Sequence, residues 1–276
     1  MIDRREIEVL RSLIQSDTGT EQGALVKQFD GDASVLQTVI ESLERDGYRF
    51  ENVGANIRLE SEPDAVRPQS VGARLTTQII GREIYVFRET TSTNDLARRA
   101  GIGKASEGVV FFAEQQTAGR GTQGRNWVSQ ANQGLWFSIL LRSTLAVDRL
   151  PALVQMAALA AAEAAERWVE HPIHIKPPND LVLAGGKLAG FLLETSNAWN
   201  FQILGIGINV RSAPEIEGYP TSALEDFSKS RIQLAELAAR ILNRFEEWYL
   251  RKPIESVIEA FERRIGQAPG SIDLPF

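Results

Sequence analysis

Residues 118–127 read AGRGTQGRNW and set Arg120 and Arg125 among Gly119, Gly121 and Gly124, with Trp127 at the end. A guanidinium is a permanent donor shaped for phosphate or carboxylate, and glycine permits left-handed backbone and close approach to a ligand. The chemistry on offer is the holding of an anion. Four more clusters extend it. TTSTND (90–95) brings Ser92, Thr93 and Asn94 to a helix start, and KPPND (176–180) places Asn179 and Asp180 behind an apolar run. GGKLAG (185–190) drives Lys187 into an apolar strand, and Asn209 closes FQILGIGIN. A lysine entering such a strand either snorkels to solvent or pairs with an anion. Read singly, each cluster has an ordinary explanation as a surface hairpin, a helix cap or an Asn-Asp turn.

Other chemistries are excluded by what the chain lacks. It has no cysteine, hence no disulfide, no thiolate metal site and no thioester carrier. There is no G-x-x-x-x-G-K-[ST] loop and no G-x-S-x-G elbow, and Gly205 and Gly207 lack the third glycine of a dinucleotide fingerprint. His171 and His174 stand three apart beside Pro172 with no thiol in the chain, a poor metal pair. The N-terminus, MIDRREIEVL, is charged where an export signal needs an apolar run. The most apolar helical stretch, 151–168, is interrupted by Glu163 and Glu166. These features predict a cytoplasmic protein without a membrane span.

The elements that must position the clusters fall into two patterns. Residues 1–62 place Ile7, Leu10, Leu13 and Ile14 at helical spacing, then Thr18 with Glu21 as a capping box for a second helix. Ser34 with Gln37 opens a third helix, stopped by Gly47, and two strand runs joined by Gly-Ala-Asn follow. Three helices and a β-hairpin make a winged helix-turn-helix domain over 1–62, and Pro63 and Pro68 mark a linker over 63–78. Residues 79–276 form the second domain. Its strand runs lie at 83–87, 108–115, 134–141, 173–176, 187–194 and 201–210, with helices near 94–100, 148–168, 232–250 and 253–265. Strands in hairpin runs predict an α+β fold, a mixed and largely antiparallel sheet with packed helices. The first 62 residues hold seven basic and thirteen acidic residues, so they carry the whole formal charge of −6.

In this order the clusters resemble the biotin protein ligases. That family pattern has an S-T-N segment, a G-R-G-R-x-G-R loop, K-W-P-N-D, a K-L-A-G-[IV]-L-x-E strand and a G-I-G-[IL]-N strand. Here they read STN (92–94), GRGTQGR (119–125), KPPND (176–180), KLAGFLLE (187–194) and GIGIN (205–209). The resemblance spans about 83–265, and the N-terminal pattern matches the family's bifunctional ligase/repressor architecture. It implies a class II synthetase-like catalytic domain that joins biotin to MgATP as biotinyl-5′-adenylate. The biotinyl group then passes to a lysine of a biotin carboxyl carrier domain. By resemblance, Lys187 and Arg120 are catalytic. Ser92, Thr93, Asn94, Gln116, Arg120, Gly121, Thr122, Lys187, Gly190 and Leu192 hold biotin. Gly119, Gly121, Arg125, Trp127, Asn179, Lys187 and Asn209 hold ATP or the adenylate, and Asp180 takes Mg²⁺. The 118–127 loop acts as a lid over the mixed anhydride, which water would otherwise hydrolyse.

Three departures from the pattern carry expectations. Thr122 stands where the family has its second loop arginine, and losing a charge-assisted contact of roughly 2 kcal/mol implies retention of the intermediate weakened about 30-fold. Pro177 replaces the tryptophan, which implies a missing aromatic wall near biotin. The chain stops at Phe276, where many relatives continue into a β-barrel domain. Two alternatives follow: a regulator that binds biotin or its adenylate without ligation, and an adenylating lipoate-type ligase. A winged helix implies DNA as partner, yet its acidic charge argues against DNA. Pairing of an exposed strand leaves a homodimer open.

Overall fold

A computed structural model describes residues 3–196, 198, 200–251 and 253–265. They divide into two units, one through Leu75 and one from Thr76 onward. The end of the expected catalytic domain, 266–276, lies outside the described residues.

In the first unit α1 (Arg4–Ile14) opens on Asp3, whose carboxylate accepts from the Arg5 N–H. The chain continues through β1 (Thr20–Glu21), α2 (Gln22–Lys27), α3 (Ala33–Arg45), β2 (Arg49–Val53) and β3 (Asn56–Ser61). The three strands order as β1-β3-β2, and Leu10, Leu13, Leu36, Val39, Leu43 and Tyr48 fill the core. The capping box expected at Thr18 does not form. Thr20 and Glu21 instead pair with Ile57 and Asn56, so α2 starts later. The cap of α3 is Asp32, not Ser34, because its carboxylate accepts from the Ser34 N–H. The stretch read as a linker carries a helix, α4 (Pro68–Arg74), with Pro68 in its first turn, where a missing N–H costs nothing. Gly72 lets α4 seat on α1: a Cβ there would lie 2.9 Å from Ile7 Cδ1.

The second unit is built on β4 (Ile84–Thr90), α5 (Thr93–Ile102), β5 (Val110–Gln116) and β6 (Gly134–Leu141). Then come α6 (Ala152–Ala165), β7 (Ile173–Lys176), β8 (Asp180–Leu183), β9 (Gly186–Ser196), β10 (Phe201–Asn209), α7 (Leu234–Tyr249) and α8 (Glu255–Ile265). Seven strands order as β4-β5-β6-β10-β9-β8-β7. Only β4 and β5 run parallel, joined through α5, so the sheet is mixed and largely antiparallel, as expected. Strand β10 is buried at every position, so both of its faces are covered. Phe201 and Ile203 pack with Ala97 of α5 on one face. The alanines of α6 are nearly all buried, which lets it sit close to α7. Strands β8 and β9 turn through Ala184 and Gly185, both at positive φ, the two-residue turn whose twist suits a hairpin. No helix of the described residues is long and apolar enough to cross a membrane.

Candidate functional site

A cleft of about 370 Å³ opens on the sheet face that carries α5. Its polar end is built by the start of α5. Ser92 caps the helix by accepting from the Asn94 N–H, so Thr93 and Asn94 follow in the first turn and are buried. Gln116, at the end of β5, uses both ends of its amide. Its Oε1 accepts from the Thr93 N–H at 2.8 Å and from the Thr93 hydroxyl at 3.1 Å, and its Nε2 donates to Ser129 Oγ at 2.7 Å. Ser138 Oγ lies 2.7 Å from Thr93 Oγ1 and 2.6 Å from Asn94 Oδ1. Gly205 makes room for this amide, since a Cβ there would sit 2.5 Å from Asn94 Oδ1. Asn94 Nδ2 is left buried with no protein partner. Such an orphan donor costs free energy unless a ligand takes it.

The middle of the cleft is apolar. Trp127 lies across two strand glycines: a Cβ on Gly207 would come within 2.5 Å of the indole, and one on Gly190 within 2.8 Å. Phe137, Phe191 and Leu192 also line this part.

Lys187 owes its direction to a bulge. Leu181 pairs with Ala189 and Val182 pairs with Lys187, which leaves Leu188 as an extra residue on β9. One extra residue reverses the alternation of side chains. Lys187 therefore shares a face with Gly190 although the two are three apart, and its Cε lies 3.5 Å from where a Gly190 Cβ would be. Its Nζ stands 2.8 Å from Asp180 Oδ1 and 5.4 Å from the Trp127 ring centre.

The glycine-arginine loop is a small hairpin. Trp127 N–H donates to Gly119 O and Gly121 N–H to Arg125 O, around a turn at Thr122–Gly124. Positive φ is confined to Gln123 and Gly124; Gly119 matters instead for close approach, since a Cβ there would lie 2.5 Å from Trp127 O. Arg120 is not an open anion site. Its guanidinium donates to both carboxylate oxygens of Asp95, at 2.6 and 3.1 Å, with Glu194 Oε1 3.7 Å away. That guanidinium holds the Asp95 carboxyl below the usual carboxylate range, and the Asp95 carboxylate in turn raises Arg120. Arg125 donates to the Thr122 hydroxyl and carbonyl.

Of the residues marked from sequence, Ser92, Thr93, Asn94, Gln116, Arg120, Gly121, Thr122, Arg125, Trp127, Asn179, Lys187, Gly190, Leu192 and Asn209 line one cleft. Gly119 and Asp180 stand behind it, against Trp127 and Lys187. Pro177 is exposed and outside the cleft lining, and the aromatic side chains that line the cleft are Trp127, Phe137, Phe191 and Tyr219. Sequence reading missed Asp95, Ser129 and Ser138, and also the loop bearing Pro214, Ile216, Tyr219 and Thr221. Asp95 lay inside the TTSTND cluster, but nothing local pairs it with an arginine twenty-five residues on. Among the described residues no group of three or more His, Cys, Asp or Glu is placed to hold a metal ion.

Comparison with known proteins adds independent findings. Residues 86–210 match the model of the biotin/lipoate A/B protein ligase family. The bifunctional ligase/repressor BirA of Bacillus subtilis is 32% identical over 219 residues, covering 76% of this chain and 67% of the relative. The biotin–[acetyl-CoA-carboxylase] ligase of Mycobacterium tuberculosis is 35% identical over 196 residues, covering 67% and 73% respectively. Among solved structures, the biotin protein ligase of Aquifex aeolicus in complex with biotin and ATP superposes with a TM-score of 0.57 at 29% identity, covering 67% of this chain and 78% of that one.

Proposed function

The chain belongs to the biotin protein ligase family and is an ATP-dependent biotin–[acetyl-CoA-carboxylase] ligase, and we propose how its cleft divides that work. Biotin has a polar ureido ring, an apolar ring and tail, and a carboxylate. The cleft offers the same sequence of environments. Thr93 and Asn94, held by Gln116 and Ser138, take the ureido ring, with Asn94 Nδ2 as an unspent donor. Gly190, Leu192 and Gly207 bed the apolar part, and Trp127, which the resemblance places on the adenylate, lies across the same two glycines and serves both. Lys187 meets the carboxylate. That order, orphan amide to apolar floor to ammonium, is the observation that carries the assignment. It favours biotin over a lipoyl group, whose dithiolane ring offers Asn94 no acceptor.

In the first step a biotin carboxylate oxygen bonds to the α-phosphorus of ATP, the bond to the bridging oxygen breaks, and pyrophosphate leaves. Two anions must approach, and the Lys187 ammonium offsets their repulsion and the charge that builds at phosphorus. The loop around Gly119, Gly121 and Arg125 lies over the nucleotide side with Asn179. In the second step a carrier-domain lysine amine attacks the acyl carbon, AMP leaves, and the amine loses a proton. Mg²⁺ commonly arrives on substrate phosphates and takes one or two protein carboxylates. The residues here fit that, with Asp180 as the carboxylate beside Lys187.

The unit through Leu75 fits a winged helix-turn-helix domain, and residues 79–276 the catalytic domain. A carboxyl carrier domain is the protein partner, and a homodimer is compatible with the open edge of β4.

The test is a mass shift. Protein, biotin, MgATP and a biotin carboxyl carrier domain are combined, with Lys187→Ala as control. A single biotinyl addition on the acceptor, absent in the control, is expected. Biotin-dependent ATP–pyrophosphate exchange without transfer would instead make the chain an adenylate former lacking its second step. Neither exchange nor transfer would favour a ligand-sensing protein.

A further inference from the structure

The adenylate formed in the first step is a mixed anhydride, and its acyl carbon accepts any free amine that reaches it. The carrier lysine is the intended amine, and lysines of the enzyme's own chain compete with it. Lysine and arginine carry the same charge but differ as nucleophiles. At about pH 7.4 a solvated lysine is unprotonated in roughly one molecule per thousand, a guanidinium in fewer than about one per hundred thousand. Arginine therefore supplies charge and hydrogen-bond donors with almost no nucleophile.

The segments that enclose the cleft choose accordingly. Their cations are Arg98 and Arg99 on α5, Arg120 and Arg125 on the hairpin, Arg211 after β10, and Lys187 on β9. Lys187 is the one lysine of the cleft lining among the described residues, and Asp180 engages its Nζ at 2.8 Å. The other described lysines stand elsewhere. Lys104 follows α5, whose ten residues put about 15 Å between it and the polar end of the cleft. Lys176 ends β7, two strand spacings or roughly 10 Å from Gly190, and is outside the lining. Lys229 pairs with Glu170, and Lys27 belongs to the first unit. Val128 and Ile216 line the cleft and are 41% and 46% exposed, so both stand at its mouth, open to solvent.

We propose that this make-up protects the enzyme from its own intermediate and so helps to select the acceptor. Guanidinium carries the charge around the cleft, aliphatic side chains hold its open mouth, and the biotinyl-adenylate meets no amine of its own chain but the engaged Lys187. This deepens the ligase assignment and rests on it. The reaction avoided is a complete one. A lysine amine bonds to the acyl carbon, the bond from that carbon to the phosphate oxygen breaks, AMP leaves, and the nitrogen gives its proton to water.

The experiment places an amine at the mouth. Val128→Lys is compared with Val128→Arg, which adds the same charge without a nucleophile. Val147→Lys is the remote control: Val147 is 77% exposed and follows the end of β6 that points away from the cleft. Each full-length protein is incubated with biotin and MgATP, without carrier domain, and self-biotinylation is followed by intact mass and mapped by peptide mass. Val128→Lys is expected to gain one biotinyl group at position 128 about 10- to 100-fold faster than Val147→Lys gains one at position 147. The remote lysine meets only adenylate that has escaped into solution. Val128→Arg and wild type are expected to stay unlabelled over the same interval. Labelling of Val128→Lys no faster than that of Val147→Lys would overturn the proposal. So would labelling of wild type on its own lysines as fast as Val128→Lys. Biotin-dependent pyrophosphate release checks that each variant still forms adenylate; should Val128→Lys fail it, Ile216→Lys places the amine on the other side of the mouth and decides. Wild-type protein that releases no pyrophosphate would sink the ligase assignment itself, a result separate from equal labelling of the two lysine variants.

Discussion

Arg120 and Asp95 form a two-pronged ion pair, Nη2 to Oδ1 at 2.6 Å and Nη1 to Oδ2 at 3.1 Å, that fastens the glycine-arginine loop to the first turn of α5. The same turn supplies Thr93 and Asn94 at the polar end of the cleft. The pair therefore ties the glycine-arginine loop to the polar end of the cleft.

Asp95→Asn should loosen that tie. Both side chains are about one third exposed, so the pair is worth roughly 0.5–1 kcal/mol after solvent screening. Amide exchange at Gly121 and Trp127, the two hydrogen bonds that close the hairpin, is expected to quicken about two- to fivefold in the variant. The pH dependence has a definite sign. Arg120 depresses the Asp95 pKa below its ordinary 3.8, so the contribution is complete above that value. It is lost as pH falls through the depressed one. Wild type and Asp95→Asn should converge in loop exchange below that value and differ at neutrality. Equal exchange at both pH values would show that the pair fastens nothing.

Gly207→Ala tests the seat of Trp127. The added Cβ would stand 2.5 Å from indole Cε2 and Nε1, with no flexible chain end to move aside. Overpacking of this kind typically costs about 1–3 kcal/mol. The indole is expected to leave the cleft floor, with a change in tryptophan emission and biotin affinity reduced about 5- to 150-fold. Unchanged affinity would mean that biotin does not use this floor.

Much of this site was legible because its clusters sit at strand ends and helix starts, where local rules work. Ser92 reads as a helix start and caps one. The rest depends on pairings between distant segments. Lys187 enters a strand, but its face is set by the bulge at Leu188, and no periodicity marks which residue a bulge leaves out. Arg120 reads as a free cation because its carboxylate partners belong to α5 and β9. Thr18 has a sound capping pattern and loses to strand pairing with β3, a tertiary bond that outweighs local propensity. Pro177 sits within a recognisable cluster, yet cluster membership alone did not show that it faces solvent.

The N-terminal unit should bind duplex DNA poorly. Helix α3 exposes Glu41, Glu44 and Arg45, and the turn before it exposes Asp30. Phosphate contacts make log K fall steeply with log salt, by about 0.9 per contact. For a mixed-sequence duplex, fluorescence anisotropy is expected to show no saturable binding at micromolar protein and 100 mM salt, and no such slope between roughly 50 and 200 mM. A slope of about four or more would demonstrate a phosphate footprint that the acidic face conceals.

Thr122 gives the sharpest prediction about the chemistry. The loop holds its cations close to home: Arg120 is engaged by Asp95, and Arg125 donates at 3.1 Å to the Thr122 hydroxyl and at 3.4 Å to its carbonyl. Position 122 lines the cleft, so an arginine there would add a charged donor at the adenylate where threonine offers only a neutral hydroxyl. It would also take away the hydroxyl bond that holds Arg125. Both changes direct positive charge toward the phosphate. Thr122→Arg is therefore expected to slow release of biotinyl-adenylate by about 30-fold, corresponding to roughly 2 kcal/mol for one charge-assisted bond. The measurement is the decay of labelled adenylate from purified enzyme after a chase with unlabelled biotin, in the absence of acceptor. Wild type should label bystander lysines through the escaped mixed anhydride, and the variant should confine label to the carrier domain. Equal release rates in the two proteins would show that retention is set elsewhere in the cleft.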